Sequence, residues 1–96
     1  MTASPKFILT LYVASIDETT RQQIENLRAA LSDCFNGDSW VLNLVEVMDK
    51  PEKAVNNDIF ATPTLVRESP KPVVKVLNGL NMIPQMLSVI TRINPN

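Results

Sequence analysis

Few residues in this chain could carry chemistry, and their spacing does not assemble them. The 96 residues include one cysteine, Cys34, and no histidine. Without histidine there is no imidazole proton shuttle, no histidine-based triad and no imidazole metal ligand. A lone cysteine excludes an internal disulfide and a Cys-x-x-Cys redox centre. Cys34 recurs at helical spacing with Ile24, Leu27 and Leu31, so it reads as a buried core thiol rather than a nucleophile. With only Gly37 and Gly79, no glycine-rich phosphate loop can be built. The acidic pairs Asp17-Glu18 and Asp49/Glu52 fall near expected helix starts, where the helix dipole favours them without a metal. No catalytic, cofactor-binding or metal-ligating residue is therefore expected. Surface chemistry remains. Residues 1–58 hold five Lys/Arg against nine Asp/Glu, whereas 59–96 hold Arg67, Lys71, Lys75 and Arg92 against Glu68 alone. A basic C-terminal part suits an acidic partner, and solvated surface charge is the plainer reading. The net charge of −1 argues against nucleic acid. Trp40 and Tyr12 are aromatic candidates for interface anchors, with Trp40 also suited to packing half in the core.

These residues must be positioned by a short set of elements. The length implies one domain spanning 1–96. FILTLYVA, 7–14, is apolar and β-prone throughout and reads as a central strand covered on both faces. The next stretch repeats Ile24, Leu27, Leu31 and Cys34 at helical spacing, with Phe35 alongside. Thr19 with Gln22, or Thr20 with Gln23, forms a capping box at its start, and Asn36-Gly37 stops it. WVLNLVEV, 40–47, is a second strand, parallel to the first across the helical crossover. Pro51 opens a short helix. TPTLVR and VVKVL are two short strands joined by ESPKP, where Pro70 and Pro72 punctuate the connection because they cannot donate backbone hydrogen bonds. A last helix carries Ile83, Met86, Leu87, Ile90 and Ile93 on one stripe, with Pro84 in its first turn. The order βαβαββα is that of a thioredoxin-like α/β fold. In that fold the proline before the third strand is typically cis, and Pro63 in Thr62-Pro63-Thr64 stands there. Isomerisation at such a bond is slow, so Pro63 is a candidate switch as well as a turn. No apolar run approaches the ~20 residues of a membrane helix, and MTASPKF lacks the apolar core of a secretion signal, so a cytoplasmic location is expected, with no membrane partner.

Beyond these patterns, the chain resembles the KaiB family of small clock proteins. LYVAS is close to the family's LYVAG. LVEVMDKPEKAVNNDIFATPTLV is close to its VIDV-x-x-x-P segment running into ILATPTL, and SPKPVVKVL matches Pro-x-Pro-Val. The resemblance implies a non-catalytic, cofactor-free protein that binds a KaiC-type ATPase and modulates its phosphorylation and ATPase cycle in circadian-type timing. It also implies a homodimer or tetramer in a resting βαββααβ arrangement that converts to the thioredoxin-like form on binding. That arrangement is the alternative fold. Carried over residue by residue, it makes Lys50, Arg67 and Lys75 partner-binding and places Pro63, Pro70, Pro72, Asn78 and Gly79 in the switching region. Asn78-Gly79 stands where the family has Gly-Asp, Asp58 and Val74 replace basic residues, and the chain ends INPN. A paralogue acting in stress or signalling through another partner is the alternative function, a histidine kinase is a second partner class, and a thioredoxin-like redox protein is a remote third reading.

Overall fold

A computed structural model describes residues 5–37 and 39–92. The elements run β1 (Phe7–Val13), α1 (Glu18–Cys34), β2 (Trp40–Glu46), α2 (Pro51–Asn56), β3 (Thr64–Ser69), β4 (Val74–Leu77), a 3-10 turn (Gly79–Asn81) and α3 (Ile83–Ile90). This is the thioredoxin-like order, and not the alternative βαββααβ. The sheet order is β2-β1-β3-β4. β2 lies parallel to β1, with Phe7 opposite Trp40 and Val13 opposite Glu46. β3 is antiparallel to β1 and β4 to β3.

β1 is central because almost none of it tolerates water. Of its seven residues only Ile8 is not buried. Alternation sends Phe7, Leu9, Leu11 and Val13 to one face, where they meet Ile24, Leu27 and Leu31 of α1, Phe35 just after it, and Met86 and Ile90 of α3. Tyr12 faces the other way, into a smaller core with Val45, Ala54, Ile59 and Val66. Burying each large aliphatic chain is worth about 1.5–3 kcal/mol. At one end of the larger core the Phe7 and Phe35 rings stack at 4.2 Å, and Trp40 tilts against Phe35 at 6.4 Å.

Helix α1 is capped two residues before the nearer of the expected boxes. Asp17 is the N-cap, and its carboxylate accepts the Thr20 backbone N–H at 2.8 Å. Aspartate fits because its short side chain reaches an amide that the first turn leaves without a partner. The helix ends where the Phe35 N–H bonds the Leu31 carbonyl at 2.8 Å, and Gly37 follows at φ +92°, a left-handed angle that glycine adopts freely. Cys34 is exposed, which corrects its reading as a core thiol. At 3.6 residues per turn the stripe passes to Phe35 in the last turn and leaves Cys34 at its edge. Four members of the α3 stripe lie where their spacing put them: Met86 and Ile90 are buried, and Ile83 and Leu87 pack half-buried against the core. Ile93 lies outside the described residues.

Arg67 corrects a second expectation. It is 1% exposed, and so in this arrangement it is no surface charge for a partner. Opposite Leu9 on the sheet, its guanidinium donates to the carbonyls of Ile90 at 2.9 Å, Arg92 at 2.6 Å and Pro72 at 2.9 Å. The first two close the C-terminal end of α3, where unpaired carbonyls and the helix dipole both favour a cation. One charge thereby ties the last helix and the β3–β4 connection to the sheet. Its Nε is buried with no hydrogen-bond partner, an additional cost of keeping the group dry.

Gly79 fixes the approach of α3 from the other end. A Cβ there would lie 2.2 Å from the Met86 sulfur, 2.9 Å from its Cγ and 3.3 Å from its Cβ. Met86 is itself 1% exposed and has little room to yield. Gly79→Ala is therefore expected to destabilise the fold by about 1–3 kcal/mol, as overpacking does, read as a lower urea midpoint. Arg67→Met should cost at least the ~1.5–3 kcal/mol of one charged hydrogen bond, with amide-exchange protection lost first in α3. An unchanged midpoint and exchange pattern would contradict this account of the buried guanidinium.

Candidate functional site

Two neighbouring features converge on the loop between α2 and β3. The first is a notch at the C-terminal end of β1. Val13, Ala14, Ser15, Asp17, Thr20, Gln23, Thr62, Pro63 and Leu80 line about 270 Å³. The Thr62–Pro63 bond is cis, as are the bonds preceding Pro70 and Pro72. The groups facing this notch are hydroxyls, an amide and one carboxylate. Asp17, the only titratable one, is committed to capping α1, and the hydrogen bonds from Thr20 hold its carboxyl below the usual aspartate range. Cys34, the one thiol in the sequence, stands at the opposite end of the 17-residue helix, about 25 Å away along its axis. No thiol lines the notch.

The second feature is an exposed surface built from α2, the following loop and the end of β4. Pro51 starts α2 at its first turn, where a missing N–H costs nothing. Lys50 precedes it as N-cap, exposed and without a side-chain cap hydrogen bond. At the other end the Asn57 side chain donates to the Lys53 carbonyl at 2.8 Å, and Lys75 Nζ from β4 donates to the Asn57 carbonyl at 2.9 Å. Lys50 and Lys75 thus bracket the ends of α2. Asp58 then takes a left-handed turn at φ 57°. Ile59 folds back into the second core with its N–H on the Ala54 carbonyl at 2.9 Å. Anchoring Ile59 inward turns Phe60 outward, and its ring is 91% exposed. Thr64 Oγ1 closes the loop on the Ala61 carbonyl at 2.7 Å, and the Asn78 N–H reaches the Pro63 carbonyl at 2.8 Å. Leu77, opposite Thr64 in the register, adds a second exposed apolar chain at 63%.

Of the residues singled out from sequence, Lys50 and Lys75 lie on this surface. Pro63 and Asn78 meet through that hydrogen bond, with Asn78 left-handed at φ 58° and Gly79 buried beside it. Pro70 and Pro72 lie at the far end of the β3–β4 hairpin, next to Arg67 rather than next to Pro63. Tyr12 is 4% exposed and belongs to the second core rather than to an interface. Burial and the nearby Glu68 carboxylate raise its phenol above the ordinary tyrosine value, and Glu68 accepts a hydrogen bond from Thr10 on the same open face. Trp40 opens β2 and packs half-buried against the core, as one of its two readings had it. Phe60 was not singled out. The only signal for it was an unbroken Ile-Phe pair inside a loop, which does not say which of the two faces solvent.

Comparison with known proteins follows the same lines. A model of the KaiB domain matches residues 10–93. The circadian clock oscillator protein KaiB of Prochlorococcus marinus (strain MIT 9312) is 33% identical over 81 residues, covering 84% of this chain and 76% of that protein. The circadian clock protein KaiB3 of Synechocystis is 28% identical over 94 residues, covering 88% and 91%. Among solved structures, the N-terminal domain of Synechococcus elongatus SasA superposes with a TM-score of 0.65 at 18% identity, covering 100% of this chain and 94% of that one. The germline-specific thioredoxin Deadhead of Drosophila melanogaster gives 0.64 at 14% identity, covering 90% and 82%. These structural likenesses establish the thioredoxin-like fold.

The cap at the notch predicts a pH response. Asp17 has a lowered folded-state pKa, so its contribution is present above the unfolded aspartate value near 3.9 and fades as pH falls through the lower folded value. Asp17→Ala should lower the thermal midpoint at neutral pH, and the gap from the parent protein should narrow as the pH drops below the usual aspartate value. A gap that widens on acidification would contradict the cap.

Proposed function

The chain belongs to the KaiB family, and we propose that it is a non-catalytic regulatory protein that binds a KaiC-type ATPase and modulates its phosphorylation and ATPase cycle. The observation that carries this reading is Phe60, whose ring is 91% exposed at the tip of a loop anchored on both sides. A solvated aromatic on an ordered loop has its ring area available to a partner, and such rings dominate binding energy when an interface buries them. Leu77 extends the apolar contact, and Lys50 and Lys75 supply charge beside it. Lys50 stands at the N-terminal end of α2, where the helix dipole disfavours a cation. Local stability therefore does not account for it, which supports a role against an acidic partner surface. The notch beside Pro63, with its capped carboxylate and no thiol, fits a contact surface better than the redox reading.

Switching to the family's second arrangement fits this reading as a conversion centred on the C-terminal half. It would withdraw Arg67 from the carbonyls of Ile90 and Arg92 and lift Gly79 off Met86, while Pro63, Pro70, Pro72 and Asn78 punctuate the segments that move. A paralogue serving stress or signalling through another partner, a histidine kinase among them, is the second reading. Identities of 28–33% to the clock proteins leave room for it.

Titration of the chain against a KaiC-type ATPase from the same cell tests the proposal. Phe60→Ser should weaken binding by more than about 2 kcal/mol, as loss of a central aromatic does. Lys50→Ala with Lys75→Ala should cost about 0.2–1 kcal/mol each, and added salt should weaken the parent more than the double variant. Binding that ignores all three substitutions would overturn the assigned surface. Failure of the ATPase to bind, with a different protein captured through Phe60, would favour the paralogue.

A further inference from the structure

The open part of the second face holds a cavity of about 460 Å³ that Phe60, Leu77, Lys50 and Lys75 do not line. Lys53 of α2 reaches it from one side, and β1, β2 and β3 contribute Thr10, Tyr12, Asn43 and Glu68. Two of these side chains are built for an occupant. The first is Tyr12, 4% exposed. A buried phenol ordinarily finds a hydrogen-bond partner, yet among the described residues its hydroxyl has none. Arg67 Nε is the one fully buried side-chain polar atom left without a partner among those residues. The Tyr12 hydroxyl is therefore not sealed in the core and opens into the cavity that Tyr12 lines. Burial and the Glu68 carboxylate raise its pKa, so it stands there as a hydrogen-bond donor at neutral pH.

The second is Glu68. The β1–β3 register passes from Ile8 opposite Ser69 to Leu9 opposite Arg67, which leaves Glu68 as the extra residue of a bulge. A bulge re-aims the side chain it carries. Here it brings the carboxylate to Thr10, itself 4% exposed, whose hydroxyl donates to Oε2. Oε1 has no partner among the described residues, and neither has the Lys53 ammonium. Two opposite charges thus line one cavity without forming an ion pair.

We propose that this cavity binds a free aliphatic amino acid as its zwitterion, with the ammonium on Glu68 and the carboxylate on Lys53 and the Tyr12 hydroxyl. The polarity follows from the lining. An ammonium gives Oε1 the donor it lacks, and a carboxylate accepts from both Lys53 and the phenol. Glu68 and Lys53 sum to zero charge, which matches a zwitterion and disfavours a simple anion or cation. Asn43 is exposed and its amide has no hydrogen bond among the described residues, so it offers a donor and an acceptor beside the charged groups. Leu44 and Val45 supply an apolar part of the lining, which suits an aliphatic side chain. A nucleotide fits poorly. Lys53 is the one cation among the lining residues, and the one aromatic ring, Tyr12, is packed into the second core where no base can stack on it.

The experiment uses the full chain alone, so it stands or falls separately from binding to an ATPase. Valine, leucine and isoleucine are titrated singly and followed by amide NMR. At least one should give saturable shifts at Thr10, Tyr12, Asn43 and Glu68, with a Kd no weaker than about 1 mM. Its N-acetyl derivative, which has no ammonium, and its C-terminal amide, which has no carboxylate, should each bind at least about tenfold more weakly, as loss of a charged hydrogen bond implies. Glu68→Gln should weaken the free amino acid by a similar factor and abolish the discrimination against the N-acetyl form. Lys53→Met should do the same for the amide. Tyr12→Phe should weaken binding without lowering the urea midpoint, because the hydroxyl has no partner within the fold. The absence of saturable shifts with all three amino acids overturns the proposal. So do shifts confined to residues outside the cavity, an N-acetyl derivative that binds the parent equally well, or affinity unchanged in Glu68→Gln.

Discussion

A strand that water cannot touch organises this molecule. β1 is buried along nearly its whole length, so it needs a neighbour on each edge and a cover on each face. β2 and β3 supply the edges, α1 and α3 one face, and α2 with Ile59 the other. The two covers are unequal. α1 brings 17 residues and α2 only six. The second face is therefore closed at one end only, and Thr10, Asn43 and Glu68 border its open part. The loop that completes this cover is the one that turns Phe60 to solvent. In this chain the exposed Phe60 ring and the closing of the second core are two results of the same short helix.

Arg67 adds a constraint of another kind. Hydrophobic contact is tolerant of direction, whereas a buried guanidinium requires acceptors at fixed places. Its acceptors come from sequence positions 72, 90 and 92, so the C-terminal half closes on the sheet at one point. Gly79 against Met86 sets a second point by steric fit. Between them α3 has little freedom in rotation or height.

How much of this could be read beforehand depended on periodicity. β1 and β2 announce themselves by apolar runs, and the stripes of α1 and α3 by three- and four-residue spacing. Pro51 and Pro84 mark helix starts by a mechanism independent of tertiary context. Failures came where a residue type was weighed without its face. Arginine is ordinarily a surface residue, yet Leu65 and Arg67 share a parity in β3, and the parity that buries one buries the other. Cys34 was placed by a stripe that in fact passes to Phe35. Asp17 was passed over as a cap in favour of threonine pairs just downstream. Phe60 lies in a loop, where no period exists to say which side chain faces out, so only the fold could expose it.

The aromatic residues at the N-terminal end of the larger core carry one more consequence. The sequence has a single tryptophan, and Trp40 sits against Phe35, which stacks on Phe7. The single tyrosine, Tyr12, lies in β1. Every strongly absorbing chromophore therefore belongs to β1 or β2. Ultraviolet emission excited at the indole band reports the environment of Trp40 at the Phe7–Phe35 cluster and contains no probe in β3, β4 or α3. An optical melting curve followed at that wavelength would register the loss of the β1–α1–β2 unit, while a rearrangement confined to the C-terminal half would pass nearly unseen.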